Sequence, residues 1–503
     1  MTLHLKANWA DQYPPLAEVI KILHRQQIEA YLVGGPVRDL LLGRASIVDL
    51  DFVTPGDGLT VARRVADALG SAYYPLDAER GVGRVIWQLL AGADPRKSHL
   101  DFATLRGASL PEDLQDRDFT INAMALSLTE SPQLIDPLEG QVDLSRQQIK
   151  VAAPGAFQRD PVRVLRAVRQ AIEFGFAIEP DSQTQLRQAA PKLTSTSAER
   201  QRDELLKLLN TPTPGQAVQL LYRLGVLAHF LPEVGAMVGV EQGPPHYLDV
   251  FEHTVSALEA WATMLKEGLP AIPPEFQPAV KAYLAERISG DLSLQQLIPL
   301  ALLWHDTGKP LSRTESEGPD PKIRFLGHER ASARLTSRAM KTFNFSNQAT
   351  GFVETVVAHH LRPLLLTQDG GKISRRAIYR FFRDTTGPGY SAGIAVALHA
   401  LADQQAIYPP TSTPGQARQQ ALGRVLHQLL TAYFEERKEL VDPPPLLTGR
   451  DLIEQLGLKE GRTIGLLLNR LKEAQAMGMV TDKATALAFV KNDPDFTRAT
   501  KQN

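Results

Sequence analysis

"YLVGGPVRDLLLGRASIVDLDFV", Tyr31 to Val53, opens apolar, turns on Gly34 and Gly35, and closes with Asp49 and Asp51 on either side of Leu50. Successive side chains of a β-strand alternate between its faces. Asp49 and Asp51 are therefore expected side by side, with Leu50 and Phe52 on the other face. Two adjacent carboxylates repel each other and are costly to desolvate without a cation. A divalent ion resolves that conflict, and Mg²⁺ favours a few carboxylates together with substrate phosphates. A solvated strand end would explain an isolated Asp-x-Asp as well, so the upstream residues decide. Leu32 and Val33 run into the glycine turn, and a helix is expected through Leu42. Such a layout offers backbone N–H groups and a helix N-terminus to an anion, and Arg38 adds a fork-shaped donor set. Gly34, Gly35 and Arg38 are candidate phosphate contacts, and Asp49 and Asp51 candidate Mg²⁺ ligands. Together they suit a nucleoside triphosphate.

The whole chain narrows the class. Its 503 residues exceed what one core organises. A hydrophobic content of 43% with 22% charged residues is ordinary for a soluble protein. The absence of cysteine excludes disulfides and thiolate metal sites and suits a reducing cytoplasm. The start "MTLHLKANWADQYPPL" lacks a basic region followed by an apolar signal core. No apolar run approaches the roughly 20 residues that span a bilayer. A cytoplasmic protein without membrane contact is the expectation. With a net charge of -1, any nucleic-acid partner needs a local basic surface.

Periodicity divides the chain into five stretches. Residues 1–28 read as a leader with a short helix from Leu16 to Ile28. Residues 29–130 mix apolar runs, "YYPL", "GRVIWQLL" and "HLDFATLR", with the helical "LTVARRVADALG", an α+β pattern. Residues 131–235 turn helical. Residues 236–410 are helical and rich in histidine, with "EGLPAIPPEFQPAV" expected as a surface insertion. Residues 411–503 form a helical tail, in which the linker-like "VDPPPLL" at 441–447 precedes a last helical unit.

Two further segments belong with the opening stretch. Asp101 in "HLDFATLR" is either a third carboxylate of the metal site or a solvated strand-edge residue. "LPEDLQDRDFTINAMAL" supplies Arg117, Asp118 and Asn122. Gly-Gly-Pro-Val-Arg-Asp, Asp49-Leu50-Asp51 and "RDFTINAM" occur in one order, and in that order the chain resembles the class II tRNA nucleotidyltransferase and bacterial poly(A) polymerase family. The resemblance covers about residues 29–235 and weakens toward the C-terminus. It implies a polymerase-β-like head with a mixed sheet, followed by an all-α neck, body and tail. It also implies transfer of CMP or AMP from CTP or ATP to an RNA 3′ end, as CCA addition to tRNA, whole or partial, or alternatively as poly(A) synthesis. Asp49 and Asp51 would then hold Mg²⁺, with Gly35, Arg38 and Arg117 on the triphosphate.

In "RDPVRVLRAVR", Asp160, Arg163, Arg166 and Arg169 recur every three residues, a row that drifts by about 60° per step on a helix. A surface Asp–Arg pair worth a few tenths of a kcal/mol is one reading. In the resembled family the matching Asp and Arg read the base edge of CTP or ATP, as side chains read bases in a groove. This chain departs from the family at Arg159, where an acidic residue is usual, and at Pro36, where a small residue such as Ala is usual.

The histidines form a second constellation: His253, His305-Asp306, His328, His359-His360, and then Asp403. This order resembles the HD phosphohydrolase domain. Imidazole and carboxylate together bind first-row divalent metals, so a transition metal is expected here. The domain would hydrolyse a 2′,3′-cyclic phosphate or phosphomonoester on RNA, or persist as a scaffold. In a competing reading of the whole chain, this phosphohydrolase is the enzyme and the head only binds RNA. Gripping tRNA, packing onto the body and dimerising are three readings of the tail, leaving monomer and homodimer both open.

Overall fold

The computed structural model describes residues 14–44, 49–88, 97–129, 132–288, 290, 292–317, 322–368, 370–409 and 411–501. The first 13 residues of the expected leader lie outside them. The chain forms two compact units. One comprises Met1–Ser197 with Leu224–His229, the other Ala198–Arg223 with Phe230–Asn503. The stretch 131–235 thus contributes to both.

The first unit is built on a seven-stranded mixed sheet. Its elements are α1 (Pro14–Arg25), β1 (Tyr31–Val33), α2 (Gly35–Leu41), β2 (Asp49–Thr54), α3 (Gly58–Leu69), β3 (Ala72–Asp77), β4 (Val82–Gln88), β5 (Lys97–Thr104), α4 (Leu110–Gln115), β6 (Ala125–Ser127) and β7 (Leu134–Ile135). The strand order is β3-β4-β5-β2-β1-β6-β7. Among the described residues of this sheet, only β2 and β5 run parallel, with Asp51 opposite Asp101 and Asp49 opposite His99. The period-two pattern of β2 is realised: Leu50 and Phe52 are buried while Asp49 and Asp51 face outward. Phe52 stacks on Phe102 of β5 at 4.6 Å between ring centroids, a pairing worth about 0.5–1.5 kcal/mol beyond its buried area. Leu16, Val19 and Leu23 of α1 are buried, so the helix of the expected leader belongs to this core.

Beyond the sheet come α5 (Gly140–Ser145), β8 (Gln148–Ile149), α6 (Ala156–Arg159), α7 (Arg163–Phe174), β9 (Ala177–Ile178) and α8 (Pro180–Ala189). The row Asp160–Arg169 does not lie on one helix. Asp160 ends α6 with φ −140° and ψ 88°, because a residue before proline is pushed out of the helical region, and Pro161 follows. Only Arg163, Arg166 and Arg169 share α7.

The second unit is mainly helical, with three two-stranded ribbons. The Pro-rich stretch expected as a surface insertion is packed instead. Leu269, Ile272, Phe276 and Val280 are all buried, so its apolar residues fall inward between the prolines. Leu447, Leu452, Leu467, Leu471, Val480 and Val490 form a separate apolar cluster near the C-terminus. Among the described residues, no helix is long and apolar enough to cross a membrane.

One glycine controls how closely α3 approaches the sheet. A Cβ on Gly58 would lie 2.3 Å from the carbonyl oxygen of Gly81 and 2.7 Å from the backbone of Ala103 and Thr104. Backbone cannot rotate away as a side chain can. Gly58→Ala is expected to cost about 1–3 kcal/mol, the usual range for overpacking. Thermal unfolding followed by circular dichroism checks this; an unchanged midpoint would show that α3 shifts freely.

Candidate active site

The outward face of β2 and β5 gathers charge. Asp49 has 69% of its side chain exposed and accepts from or pairs with Nδ1 of His99 at 2.9 Å. Asp101, across from Asp51, is gripped by Arg84 of β4 through two contacts of 2.7 Å, Nε to Oδ1 and Nη2 to Oδ2. Asp101 thus holds a bidentate ion pair beside the Asp49–Asp51 row. Although part of Asp51 reaches solvent, protein packed around its carboxyl and then the charges of Asp101 and Asp49 push its pKa up to about 6, against the pull of Arg117 and Arg84. Crowded carboxylates with too little positive charge are the donor set that a hard divalent cation satisfies.

The glycine turn closes this site from the other side. Gly34 has φ 76° and ψ −137°, a region nearly closed to other residues. A Cβ there would meet Nη1 of Arg117 at 3.0 Å and Oδ2 of Asp51 at 3.9 Å. Gly34 therefore lets a cation and a carboxylate converge over the turn. Arg117 is steadied by Asp113, which accepts from Nε at 3.2 Å and Nη2 at 3.0 Å.

Arg38 does not present the free fork expected of a phosphate contact. Its Nε and Nη2 donate to Asp39 at 3.0 and 3.1 Å, its Nη1 donates to Oδ1 of Asn122 at 2.5 Å, and its guanidinium lies 4.4 Å from the ring centroid of Phe174. Asn122 extends the network, donating to Asp118 at 3.0 Å and Gln170 at 3.1 Å. Burial opposes the charge of Asp118, but Arg166 at 3.1 Å, Asn122 and the N–H of Phe119 hold its pKa below the usual carboxylate range. Arg163 donates to the carbonyls of Arg117 at 3.0 Å and Asp116 at 2.7 Å, with Nε 3.7 Å from Asp160. Arg169 pairs with Glu173 at 2.9 Å. Arg38, Asp118, Asn122, Arg163 and Arg166 thus weld α2, the 117–122 segment and α7 together behind the site. Gly35 opens α2 with the Arg38 guanidinium 3.4 Å from where its Cβ would be. Arg84, Asp113, His99 and Gln170 were not read from the sequence. Arg84 and His99 owe their places to strand register, which periodicity alone does not give.

In the second unit, five helices bring histidines to one buried point. His253 comes from the helix Val250–Lys266 and His305-Asp306 follow the helix Leu294–Trp304. His328 opens the helix His328–Thr342, His360 follows the helix Asn347–His359, and Asp403 lies on the helix Gly393–Ile407. His253, His305, Asp403 and Asp306, His328, His360 form two groups whose donor atoms lie within 4.8 Å of one another. Gly308 makes this packing feasible, since a Cβ there would meet the carbonyl of His328 at 2.5 Å. His359 does not join. It is half-buried, and burial, then Arg362, lower its pKa, with Asp384 opposing. Successive helical residues point about 100° apart, so a His-His pair delivers one ring inward and turns the other away.

Two residues missed in the sequence complete the surroundings. Lys309 places its ammonium 2.7 Å from Oδ2 of Asp306 and 2.5 Å from Gln242. His399 is fully buried against His305 and His360, with ring centroids 5.2 and 5.7 Å away. Its spacing of four residues from Asp403 on one helix was the available signal. Burial disfavours the imidazolium of His305, but Asp306 and Asp403 outweigh it and lift its pKa to about 10. His360, desolvated and beside His305 and His328, falls to about 3. A cavity of about 330 Å³ opens onto Asp306, Lys309, His328 and His360.

Comparison with known proteins follows this geometry. Residues 30–150 match the poly A polymerase head domain, and residues 175–237 match the probable RNA and SrmB binding site of polymerase A. The chain is 34% identical over 472 residues to an A-adding tRNA nucleotidyltransferase of Deinococcus radiodurans, spanning 92% of this chain and 95% of that protein. It is 32% identical over 474 residues to a CC-adding tRNA nucleotidyltransferase of Thermus thermophilus, spanning 92% and 93%. A solved CCA-adding enzyme shares the fold, with a TM-score of 0.60 at 21% identity over 96% of this chain and 95% of that one. With such identity along almost its full length, and with the carboxylate face, glycine turn and helical units in place, the chain belongs to the tRNA nucleotidyltransferase and poly(A) polymerase family and is a nucleotidyltransferase.

Proposed function

We propose that the chain adds CMP, AMP or both, from CTP and ATP, to the 3′ end of tRNA. The observation that carries this reading is the outward pair Asp49 and Asp51 on β2, converging with Arg117 over the Gly34 turn. Asp49 and Asp51 are assigned to hold Mg²⁺, which when bound offsets phosphate charge and makes the attacking 3′-hydroxyl more acidic. Asp101 sets the position of Arg84 and adds negative charge beside Asp51. Arg117, next to Gly34, is the cation placed to meet the triphosphate. The 3′-oxygen bonds to the α-phosphorus, the α–β bridging bond breaks, and pyrophosphate departs. Asp160, with 21% of its side chain exposed beside Arg163, is assigned to the base edge, where an acceptor selects an exocyclic amine.

The relatives at 34% and 32% identity carry different names, A-adding and CC-adding, so the product is tested with defined acceptors. Labelled CTP or ATP is supplied to tRNA transcripts lacking the whole CCA end, to transcripts lacking only its final A, and to an unrelated RNA. Incorporation on the tRNA transcripts supports the reading; long adenylate tails on the unrelated RNA would favour poly(A) synthesis. Asp49→Ala and Asp51→Ala are each expected to abolish addition while tRNA binding persists. Near-wild-type turnover in either variant would overturn the carboxylate assignment.

The buried histidines favour a second reading for the second unit. Their donor set fits a transition metal, and the adjoining cavity with Lys309 fits a phosphoryl group. We assign it hydrolysis of a 2′,3′-cyclic phosphate or phosphomonoester on RNA, with water adding to phosphorus and a P–O bond breaking. The double variant His305→Ala, Asp306→Ala is expected to lose bound transition metal and this hydrolysis. Addition to a clean 3′-hydroxyl should continue. Metal content by elemental analysis, both activities and a circular dichroism control check the outcome. Full metal content in a folded variant would show that these residues are not ligands.

A further inference from the structure

The charged face of the first sheet spans three strands, and its carboxylates are not held alike. Register sets Arg84 of β4 beside Asp101 of β5, itself beside Asp51 of β2. One step along the same strands, it sets Ile86 beside His99, itself beside Asp49. Arg84 donates to both oxygens of Asp101 at 2.7 Å. Nδ1 of His99 lies 2.9 Å from Oδ1 of Asp49. An ionised carboxylate can only accept, so Nδ1 carries the proton and donates, whether the ring is neutral or charged. Asp49 and Asp101, the two neighbours of Asp51, are thus each held by a donor from the next strand. Among the described residues, Asp51 accepts no hydrogen bond and meets only the charges around it.

The His99–Asp49 contact contributes little to the fold. The two side chains are 34% and 69% exposed, and ion pairs so open to water contribute about 0–1 kcal/mol. Among the described residues, Asp49 is the one polar partner of His99, and the strand neighbour on its other side is the apolar Ile86. The contact acts instead on the rotamer of Asp49. An aspartate this exposed has several staggered side-chain states within reach. Donation to Oδ1 selects among them and leaves Oδ2, with a second lone pair on Oδ1, for a cation. Because Nδ1 is turned to the carboxylate, Nε2 lies on the far side of the ring, and His99 acts through Asp49. Partners of this kind, which orient a ligating carboxylate, change metal affinity by about 10–100-fold when removed.

We propose that His99 is a positioning residue of the nucleotidyl-transfer site: its Nδ1–H fixes Asp49 so that the free oxygen of Asp49 and the carboxylate of Asp51 take one divalent ion together. This role rests on the reading of Asp49 as a metal ligand, and Asp49→Ala tests that reading separately.

Mn²⁺ binding is read from the electron paramagnetic resonance signal of the free ion, without nucleotide or RNA. The full chain carries His305→Ala and Asp306→Ala, to remove the histidine cluster as a competing site. His99→Leu is expected to weaken Mn²⁺ binding about tenfold, the lower end of the range for such partners, because the contact is partly exposed. The thermal midpoint should stay unchanged. His99→Asn, whose amide N–H stands at the same place along the side chain as Nδ1, should restore most of the affinity. In an Asp49→Ala background, His99→Leu should cost nothing further. On the chain with its histidine cluster intact, His99→Leu should raise the Mg²⁺ concentration giving half-maximal CMP or AMP addition by a similar factor, with a smaller change in rate at saturating Mg²⁺. Unchanged Mn²⁺ affinity and Mg²⁺ dependence in His99→Leu would overturn the positioning role and leave Asp49 a ligand. Equal losses in His99→Asn and His99→Leu, or a further loss in the Asp49→Ala background, would also overturn it, since the ring would then act otherwise than through its N–H on Asp49. Unaltered Mn²⁺ binding in Asp49→Ala would overturn the ligand reading and the positioning role with it.

Discussion

The parallel pairing of β2 with β5 is the constraint on which the first unit turns. It sets Asp51 opposite Asp101 and Asp49 opposite His99 on one face, and Phe52 against Phe102 on the other. A one-residue slip between these strands would exchange the faces, burying carboxylates and exposing aromatic rings. The apolar face therefore fixes the register with a large energetic margin, since burying a phenylalanine contributes about 1.5–3 kcal/mol. The polar face inherits that register. Repulsion among its carboxylates is tolerated because the stacked rings behind them cannot move. Arg84 offsets part of the charge at Asp101, and Arg117 approaches Asp51 only because Gly34 has no side chain.

Local sequence exposed the parts of this arrangement that depend on short-range geometry. Alternation on β2 placed Asp49 and Asp51 together, and the Gly34–Gly35 pair marked the turn. Features set by strand register or by long-range packing stayed hidden. Arg84 reaches Asp101 only through the antiparallel pairing of β4 and β5. Arg38 looked like a phosphate fork because its motif is exposed in sequence terms. Its partners, Asn122 and Phe174, lie 84 and 136 residues away and draw it inward. Asp160 and Arg163 looked like one helical turn, but the proline between them places Asp160 outside α7. In the second unit the order of histidines was legible, whereas the choice between His359 and His360 was set by helix phase. His399 went unread because its four-residue spacing from Asp403 acquires meaning only when long-range packing brings His305 and His360 against its ring.

The two sites solve charge crowding in different ways. The first is shallow, made of oxygen donors, and open to solvent at Asp49. Hard ions that retain water and bind phosphate oxygens suit such a site, and they exchange readily. The second lies beneath helices, and its imidazole donors are oriented by carbonyls one helical turn back or across a helix pair. Nitrogen-rich donor sets prefer ions later in the first transition row. The two sites thus differ in donor chemistry, oxygen at the first and nitrogen with oxygen at the second.

The difference in depth also separates what each site demands of the fold. Around Asp49 and Asp51, solvent and neighbouring arginines carry much of the charge, so the sheet can form whether or not an ion is present. The histidine cluster has no such relief. Asp306 and Asp403 are both buried; Lys309 lies 2.7 Å from Asp306, and the two carboxylates raise the pKa of His305 against the effect of burial.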